Sequence, residues 1–557
     1  MDSAQDDKKG PNQGDTRDPN NQTGPNNQKH LNDSRDLNNQ KDSDQQPLPG
    51  KAQSLWIATS LETGYPALKR SISADVAIVG AGMAGLTAAV LLKQAGVKVA
   101  VIEAGRAGCG VSGHTTAKIT VAHTLIYDYL ISHFGKERAH LYADANQAAI
   151  ERIASFIKEK GISCDFIRTF ACTYTEDEKN LDKIEAEVKA AQKLGLGATY
   201  TDTLPLPFRI KGAVCFSNQA QFHPRKYLLG LAALIPGDSS HIFEATRAVA
   251  IDRTISHRTI SYCIKTQQGE VNARSVIVAT HFPFLNRGLF FARVYPRRSY
   301  LMAMHIKGNQ VHEGMFITPQ EPHHTIRPHV MESGEKFLLV GGEHHKTGQG
   351  EDTREHYRRI EQYARERFEV ESIDYRWSTQ DNVSLDRVPF IGPFTLLSRQ
   401  LYVATGFGGW GMTNGTAAGM ILSDLILGRS NPWAALFDPS RPPHLTGAKT
   451  FISQNLNVAR QFTCGHLLHP PLKKSFDDLA EGEGAIIHMD AARVAAYKDD
   501  QGTVHAFSAN CTHLGCVLSW NSAEKSWDCP CHGARFDYDG RVIHAPAIRD
   551  LTKKGAS

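Results

Sequence analysis

Two short stretches near the C-terminal end hold the residues best suited to chemistry: Cys511-Thr-His513-Leu-Gly-Cys516 and Cys529-Pro-Cys531-His532-Gly533. Thiolate and imidazole are metal ligands, so cysteines and histidines at this spacing point to a metal centre. Two kinds of centre compete. One is a structural zinc ion with four N/S ligands; the other is an iron–sulfur cluster with two thiolates on one iron and two imidazoles on the other. A zinc site does not call for the two extra cysteines, nor for the Gly-Cys and His-Gly context, and the cluster is the better match.

The two loops resemble those of the Rieske domains of cytochrome bc and b6f complexes, which read C-T-H-x-G-C and C-P-C-H-G-S. The resemblance implies a [2Fe–2S] cluster held by the sulfurs of Cys511 and Cys529 and by the imidazoles of His513 and His532. It also implies a disulfide between Cys516 and Cys531, and a proline loop at His544-Ala-Pro546 that shields the cluster. The chain departs from the high-potential pattern at two places. Where those proteins carry Ser and Tyr hydroxyls that favour the reduced state, Ala534 and Phe536 stand here.

A second motif lies near the other end. Asp75-Val-Ala-Ile-Val79 reads as a buried strand, Gly80-Ala81-Gly82-Met83-Ala84-Gly85 as a tight turn, and the following stretch to Gln94 as a helix. Val97–Ile102 is the next strand, with Glu103 at its tip. This order of strand, glycine turn, helix, strand and acid is the dinucleotide fingerprint. Gly80 permits the turn, Gly82 the approach of pyrophosphate, and Gly85 close packing of helix on sheet; Glu103 can accept from ribose hydroxyls. The glycine-rich loop after the acid, Arg106 through Gly113, Thr115 and Thr116, resembles the FAD-binding region of the D-amino-acid oxidase (glycine/sarcosine oxidase) family. That resemblance implies FAD contacts by Arg106, Gly113, Thr115 and Thr116, by Ala248 on a later strand, and by Thr280 at the end of the strand Val276–Thr280. It implies the same for Gly406, Gly408, Gly409, Gly411 and Met412, where a helix N-terminus can stabilise charge on the flavin. Gly406, Gly408 and Gly411 also spell a second GxGxxG, but no strand ending in an acid follows, so a nicotinamide site is not expected there.

These motifs need positioning elements. The fold class expected is an α/β FAD-binding Rossmann-like domain with an α+β substrate domain, plus a small all-β Rieske domain at the C-terminus. Residues 1–50, in which Asn-Asn-Gln recurs among Asp, Lys, Gly and Pro, read as a disordered tail. Residues 51–440 form the oxidoreductase, with FAD-binding segments at 74–130, 240–285 and 380–430 and substrate-domain segments at 140–235 and 290–380. A linker follows at 441–475, then the Rieske domain at 476–557. In the substrate segments, Arg297, Arg298 and Arg327 are candidates for a substrate carboxylate. The histidine pairs His323-His324 and His344-His345 read as pocket or loop residues rather than metal ligands. No catalytic side chain is named.

A formal net charge of +4 over 557 residues excludes a nucleic-acid or polybasic membrane surface. No apolar run approaches the roughly 18 residues of a spanning helix, so neither a transmembrane anchor nor a secretory signal is expected, and a cytoplasmic location is the default. Cys109, Cys164, Cys172, Cys215, Cys263 and Cys464 are scattered and are expected to be reduced or buried.

Together the two halves resemble bacterial FAD-dependent oxidoreductases of the amino-acid oxidase type with a fused Rieske domain. The activity implied is oxidation of a small amine or amino-acid-like substrate, with electrons passing one at a time to the cluster and on to a soluble electron-transfer partner. The alternative is a reductase whose flavin and cluster deliver electrons to an acceptor or oxygenase. The missing hydroxyls lead to the first prediction: a midpoint in the lower part of the Rieske range of roughly −150 to +300 mV. Ala534→Ser and Phe536→Tyr should each raise it in a redox titration, and an unchanged midpoint in both variants refutes the argument.

Overall fold

The computed structural model describes residues 47–256, 259–308, 310–311, 313–350, 352–441, 445–467, 475–489 and 492–555. The expected tail lies outside these as far as residue 46, and so do 442–444 and 468–474 of the expected linker.

Three structural parts follow one another in space. The first is a mixed sheet with a parallel core, in the order Phe390–Pro393, Leu401–Thr405, Glu270–Val278, Ser71–Val79, Val99–Ile102, His241–Phe243. Val76–Val79 and Val99–Ile102 are buried throughout, as strands covered on both faces must be, and pair Val76 with Val99 through Val79 with Ile102. The helices Met83–Gln94 and Gly411–Ile426 pack together over this sheet, and a Cβ on Gly419 would stand 2.6 Å from the Thr87 side chain.

The second part is a ten-stranded sheet whose long members are Val370–Ser384, Val294–Ile306 and Lys336–Lys346. The helices Leu181–Lys193 and Thr353–Arg367 pack on this sheet, and Lys136–Lys160 packs on Gly411–Ile426. The third part is all-β: a three-stranded sheet (Gly484–Met489, Ala492–Lys498, Val504–Ser508) and a four-stranded one (Ser519–Asn521, Ser526–Asp528, Arg535–Asp537, Val542–His544), each antiparallel. The α/β, α+β and all-β layers agree with the fold class expected from the sequence.

Two expectations change. Cys172 and Cys215 are bonded to each other; they sit directly opposite on antiparallel strands with Cα atoms 4.1 Å apart, a proximity invisible in two cysteines 43 residues apart. Cys109, Cys164 and Cys263 are free, and the Cys464 side chain lies outside the described residues. The stretch expected to be a plain linker also carries a helix, Leu445–Leu467, whose Asn455 donates to Ala292 O at 3.1 Å and whose Val458 packs on the core of the C-terminal domain.

The strand Val294–Ile306 and its neighbour Val370–Ser384 separate the catalytic half from the C-terminal domain. Tyr295, Arg297, Ser299 and Leu301 face a large cavity, and so do Thr379, Asp381 and Val383. On the opposite face, Arg298 Nη2 donates to Glu524 Oε2 at 2.7 Å, and Gln380 Nε2 donates to Gly533 O at 2.9 Å. Arg298 is fully buried, and its Nε and Nη1 find no partner among the described residues. Glu524 also accepts from Arg535, which holds Asp528, so two guanidinium groups and two carboxylates close a network across the domain boundary. Removing one member of a buried pair costs about 3–5 kcal/mol because the other is left uncompensated. Glu524→Ala is therefore expected to lower the thermal midpoint of the Rieske domain, seen as early loss of its visible circular dichroism. A midpoint equal to the parent's would mean that the network does not hold the domain.

Candidate functional site

One cavity of about 740 Å³ gathers the glycine-rich segments. Gly80, Ala81, Gly82, Met83 and Ala84 line it, together with Glu103, Thr115, Thr116, Ala248 and Thr280 and with Gly406, Gly408, Gly409, Gly411 and Met412. The turn is possible only for glycine. Gly80 has φ +110°, and a Cβ there would lie 2.4 Å from Ala279 O; on Gly85 a Cβ would lie 1.9 Å from Gly80 O. Gly85 is thus a packing residue behind the cavity. Gly82 caps the helix Met83–Gln94 with no side-chain hydrogen bond, leaving that helix end to face the cavity. The Glu103 carboxylate accepts from Ala81 N and Gly105 N, each at 2.8 Å, and keeps further lone pairs for a hydroxyl. Burial holds its pKa above the ordinary value in spite of those donors. A backbone cradle that only glycine permits, a helix N-terminus and a buried acid fit an extended dinucleotide.

Two expected FAD contacts are elsewhere. Arg106 pairs with Glu62 at 2.5 Å at the surface and does not line the cavity. Gly113 packs against Gly108, where a Cβ would meet Gly108 O at 2.4 Å. What the loop needs instead is a set of donors from distant segments. Ser54 Oγ donates to Gly113 O (2.6 Å), Trp377 Nε1 to His114 O (3.0 Å), Trp56 Nε1 to Thr115 O (2.7 Å) and Arg327 Nη1 to Thr116 O (2.6 Å). Four successive carbonyls are held in this way, and Arg327 is spent on the loop rather than on a substrate. Arg298 is likewise committed to Glu524. Of the three candidate arginines only Arg297 lines the cavity, where it pairs with Glu321.

The end of the cavity away from Glu103 carries charged groups that no motif announced. Lys118 is buried, and its ammonium donates to Phe316 O and Thr325 Oγ1, both neutral. Burial, with Arg327 nearby, pushes its pKa down to about 7. Asp381 stands directly opposite Arg297 in the sheet, and burial pushes it up to about 6 against the pull of Arg297 and Arg298. His123 stacks on Trp410 with ring centroids 4.7 Å apart and bonds Tyr142 Oη through Nδ1 at 2.7 Å; burial pushes it down to about 3, so it is neutral. His323 and His344 also face the cavity, but neither belongs to a three-ligand metal group among the described residues. Lys118 follows the glycine-rich loop by two residues, yet nothing in the local sequence marks it as buried.

The second centre lies beyond the sheet. Cys511 and Cys529 are buried free thiols, and Cys516 and Cys531 are bonded to each other. The His513 and His532 rings stand edge to face at 5.1 Å. The Nδ1 of each is buried without a hydrogen-bond partner among the described residues. Buried polar atoms are normally paired, so two orphaned imidazole nitrogens beside two free thiols fit a cluster that takes two of each. The outer nitrogen of His513 meets Asn286 Oδ1 at 3.1 Å, and Phe291 packs edge-on to His532 at 5.7 Å, both from the catalytic half. Ala534 and Phe536 are fully buried in the domain core.

With this geometry in view, comparisons with known proteins become informative. A family model described as FAD dependent oxidoreductase matches residues 75–425, and one described as Rieske [2Fe-2S] domain matches 469–554. A Bacillus subtilis protein named putative Rieske 2Fe-2S iron-sulfur protein YhfW is 39% identical over 500 residues, 90% of this chain and 97% of that one. Gamma-glutamylputrescine oxidoreductase of Escherichia coli is 23% identical over 65% of this chain and 86% of its own. Among solved structures, glycine oxidase from Geobacillus kaustophilus superposes with a TM-score of 0.55 at 19% identity, covering 66% of this chain and 99% of its own. The chain belongs to the FAD-dependent oxidoreductase family and carries a C-terminal Rieske domain. It is an enzyme whose cofactors are FAD and a [2Fe–2S] cluster. No helix among the described residues is long and apolar enough to cross a membrane.

Proposed function

We propose that this oxidoreductase oxidises a small amine or amino-acid-like substrate and passes the electrons to its own Rieske cluster. The observation that carries the reading is the shared wall: one strand presents Arg297 to the cavity and Arg298 to the domain that bears Cys511, His513, Cys529 and His532. When bound, FAD takes two electrons from a substrate and can release them singly, and a [2Fe–2S] cluster accepts one at a time. The cluster would be held by Cys511, Cys529, His513 and His532, and FAD by the cavity-lining residues named above.

The chain's own residues supply recognition. Lys118, with no carboxylate in contact among the described residues, is suited to an anionic group of the substrate, and Asp381 to its nitrogen. Trp410, His123 and Tyr295 close the cavity on the apolar side and keep water away. The N-terminus of the helix Gly411–Ile426 adds positive potential where negative charge develops. The names of the amine-oxidising relatives support the substrate class. Against a reductase with its own nicotinamide site, the second glycine-rich turn lines the same cavity as the first.

The test is anaerobic. Amines, amino acids, NADH and NADPH are added in separate cuvettes while flavin absorbance and the reduced-cluster EPR signal are followed together. An amine should bleach the flavin and raise the cluster signal; bleaching by a nicotinamide alone would make the protein a reductase. For a substrate with both charges, kcat/KM should rise through pH about 6 as Asp381 ionises and fall above about 7 as Lys118 loses its proton. Lys118→Met should abolish the alkaline limb, and its survival in that variant would remove Lys118 from substrate binding.

A further inference from the structure

The proline loop of the C-terminal domain does not confine itself to the cluster. His544, Ala545, Ala547 and Ile548 line the same cavity as Glu103 and Ala248. The segment is anchored there: Arg247 Nη2 donates to Val542 O at 2.9 Å. Ala545 and Ile548 pack against the core of the catalytic half that contains Ala248, Phe282 and Phe284. The His544 ring lies 6.4 Å from that of His281, which also lines the cavity and bonds Asn382 Nδ2 through Nδ1 at 3.1 Å. His544 Nδ1 is buried and has no hydrogen-bond partner among the described residues.

Position along the cavity follows from the strands. Glu103 stands at the tip of Val99–Ile102, the ribose end of a dinucleotide in this fingerprint. Arg247 and Ala248, at the start of the strand Ala248–Ser256, lie with Glu103, since Thr246 N donates to Glu103 O at 2.9 Å. The loop therefore starts at the Glu103 end, where Arg247 holds Val542 O, and its His544 reaches His281, the partner of Asn382, whose carbonyl oxygen accepts from Gly408 N at 2.9 Å.

We propose that the Rieske domain completes the FAD site: His544–Ile548 covers the cofactor from its adenosine end, with Ala545, Ala547 and Ile548 as an apolar cover and His544 Nδ1 turned to a polar group of FAD. The inference rests on FAD occupying the cavity and not on the identity of the substrate. An unpaired nitrogen buried in a ligand cavity costs free energy until a ligand satisfies it, and an apolar cover over an adenine removes surface from water. Docking of the domain and retention of FAD are then linked, because whatever binds the docked form stabilises it. In the competing case the loop only packs against the catalytic half, and FAD neither touches it nor depends on it.

Hydrogen–deuterium exchange on the full-length protein decides between the two. FAD is removed with the cluster retained, and exchange is compared with and without added FAD. Slowed exchange over 541–549 together with 80–85 and 406–412 is the expected result. Slowed exchange at 80–85 and 406–412 with none at 541–549 overturns the proposal, and protection at 80–85 shows that FAD was bound, so failure of the cover is distinct from failure of binding. His544→Ala and Ile548→Ser, at unchanged iron and sulfide content, should each raise the FAD dissociation constant by about tenfold, as loss of a hydrogen bond or an apolar contact would. An unchanged constant in both variants overturns it equally.

Discussion

The two-residue period of a single β-strand is the constraint on which this molecule turns. In the strand Val294–Ile306, Tyr295, Arg297, Ser299 and Leu301 meet the cavity, while Pro296 and Arg298 between them meet the Rieske domain. The partner strand is in register with it: Arg297 opposes Asp381 on the cavity side, and Arg298 opposes Gln380 on the other. A slip of one residue would turn Arg298 away from Glu524 and into the cavity. Such a slip would strand buried charge at a cost of about 3–5 kcal/mol, so the register is well specified. Gly533 shows how closely the parts fit, since a Cβ there would lie 2.5 Å from Pro296. The Rieske domain is seated on this sheet with no room for a side chain.

The electrostatics differ on the two faces of that wall. Both Glu524 and Asp381 lie near Arg298, yet against its burial the charges of Arg298 and Arg535 in direct contact, with hydrogen bonds from Ser378 and Arg298, hold Glu524 far below its usual range, whereas burial takes Asp381 up to about 6 against the more distant Arg297 and Arg298. Direct charge-assisted hydrogen bonds outweigh burial; distant charges do not. The domain boundary is therefore electrically closed, with two cations matched to two anions, while the cavity keeps Lys118 among neutral oxygens. A matched set suits a permanent contact, and an unmatched buried cation suits a site that a ligand completes.

Much of this was legible in the chain because certain chemistry is local. The paired Cys-His loops and the strand–glycine–helix–strand–acid order each need a few neighbouring residues, and both came to the places their spacing implied. Contacts that depend on distant segments were not legible. Arg106 was an expected FAD contact through the resemblance of its loop, but it pairs with Glu62 at the surface. Arg327 read as a substrate anchor because it is a cation in the substrate segment, but it holds a loop carbonyl more than two hundred residues away. Lys118, Asp381 and Asn286 gain their roles from burial and from strands that meet across the fold, which no local window contains. Cys172 and Cys215 looked like unrelated thiols until two strands set them opposite each other.

The two GxGxxG strings carry this point further. Gly80–Gly85 is followed by a strand ending in Glu103, so its helix N-terminus and its acid face the same end of the cavity. Gly406–Gly411 leads into the helix Gly411–Ile426 and then a turn, and the strand before it, Leu401–Thr405, pairs in parallel with Glu270–Val278 of the same sheet. That pairing brings the second glycine turn to the cavity already occupied by the first. Glycine spacing alone reports that the backbone must come close to something; the sheet decides whether that something is a new ligand or the far end of one already held. Here the parallel order of the strands makes two similar strings line a single cavity.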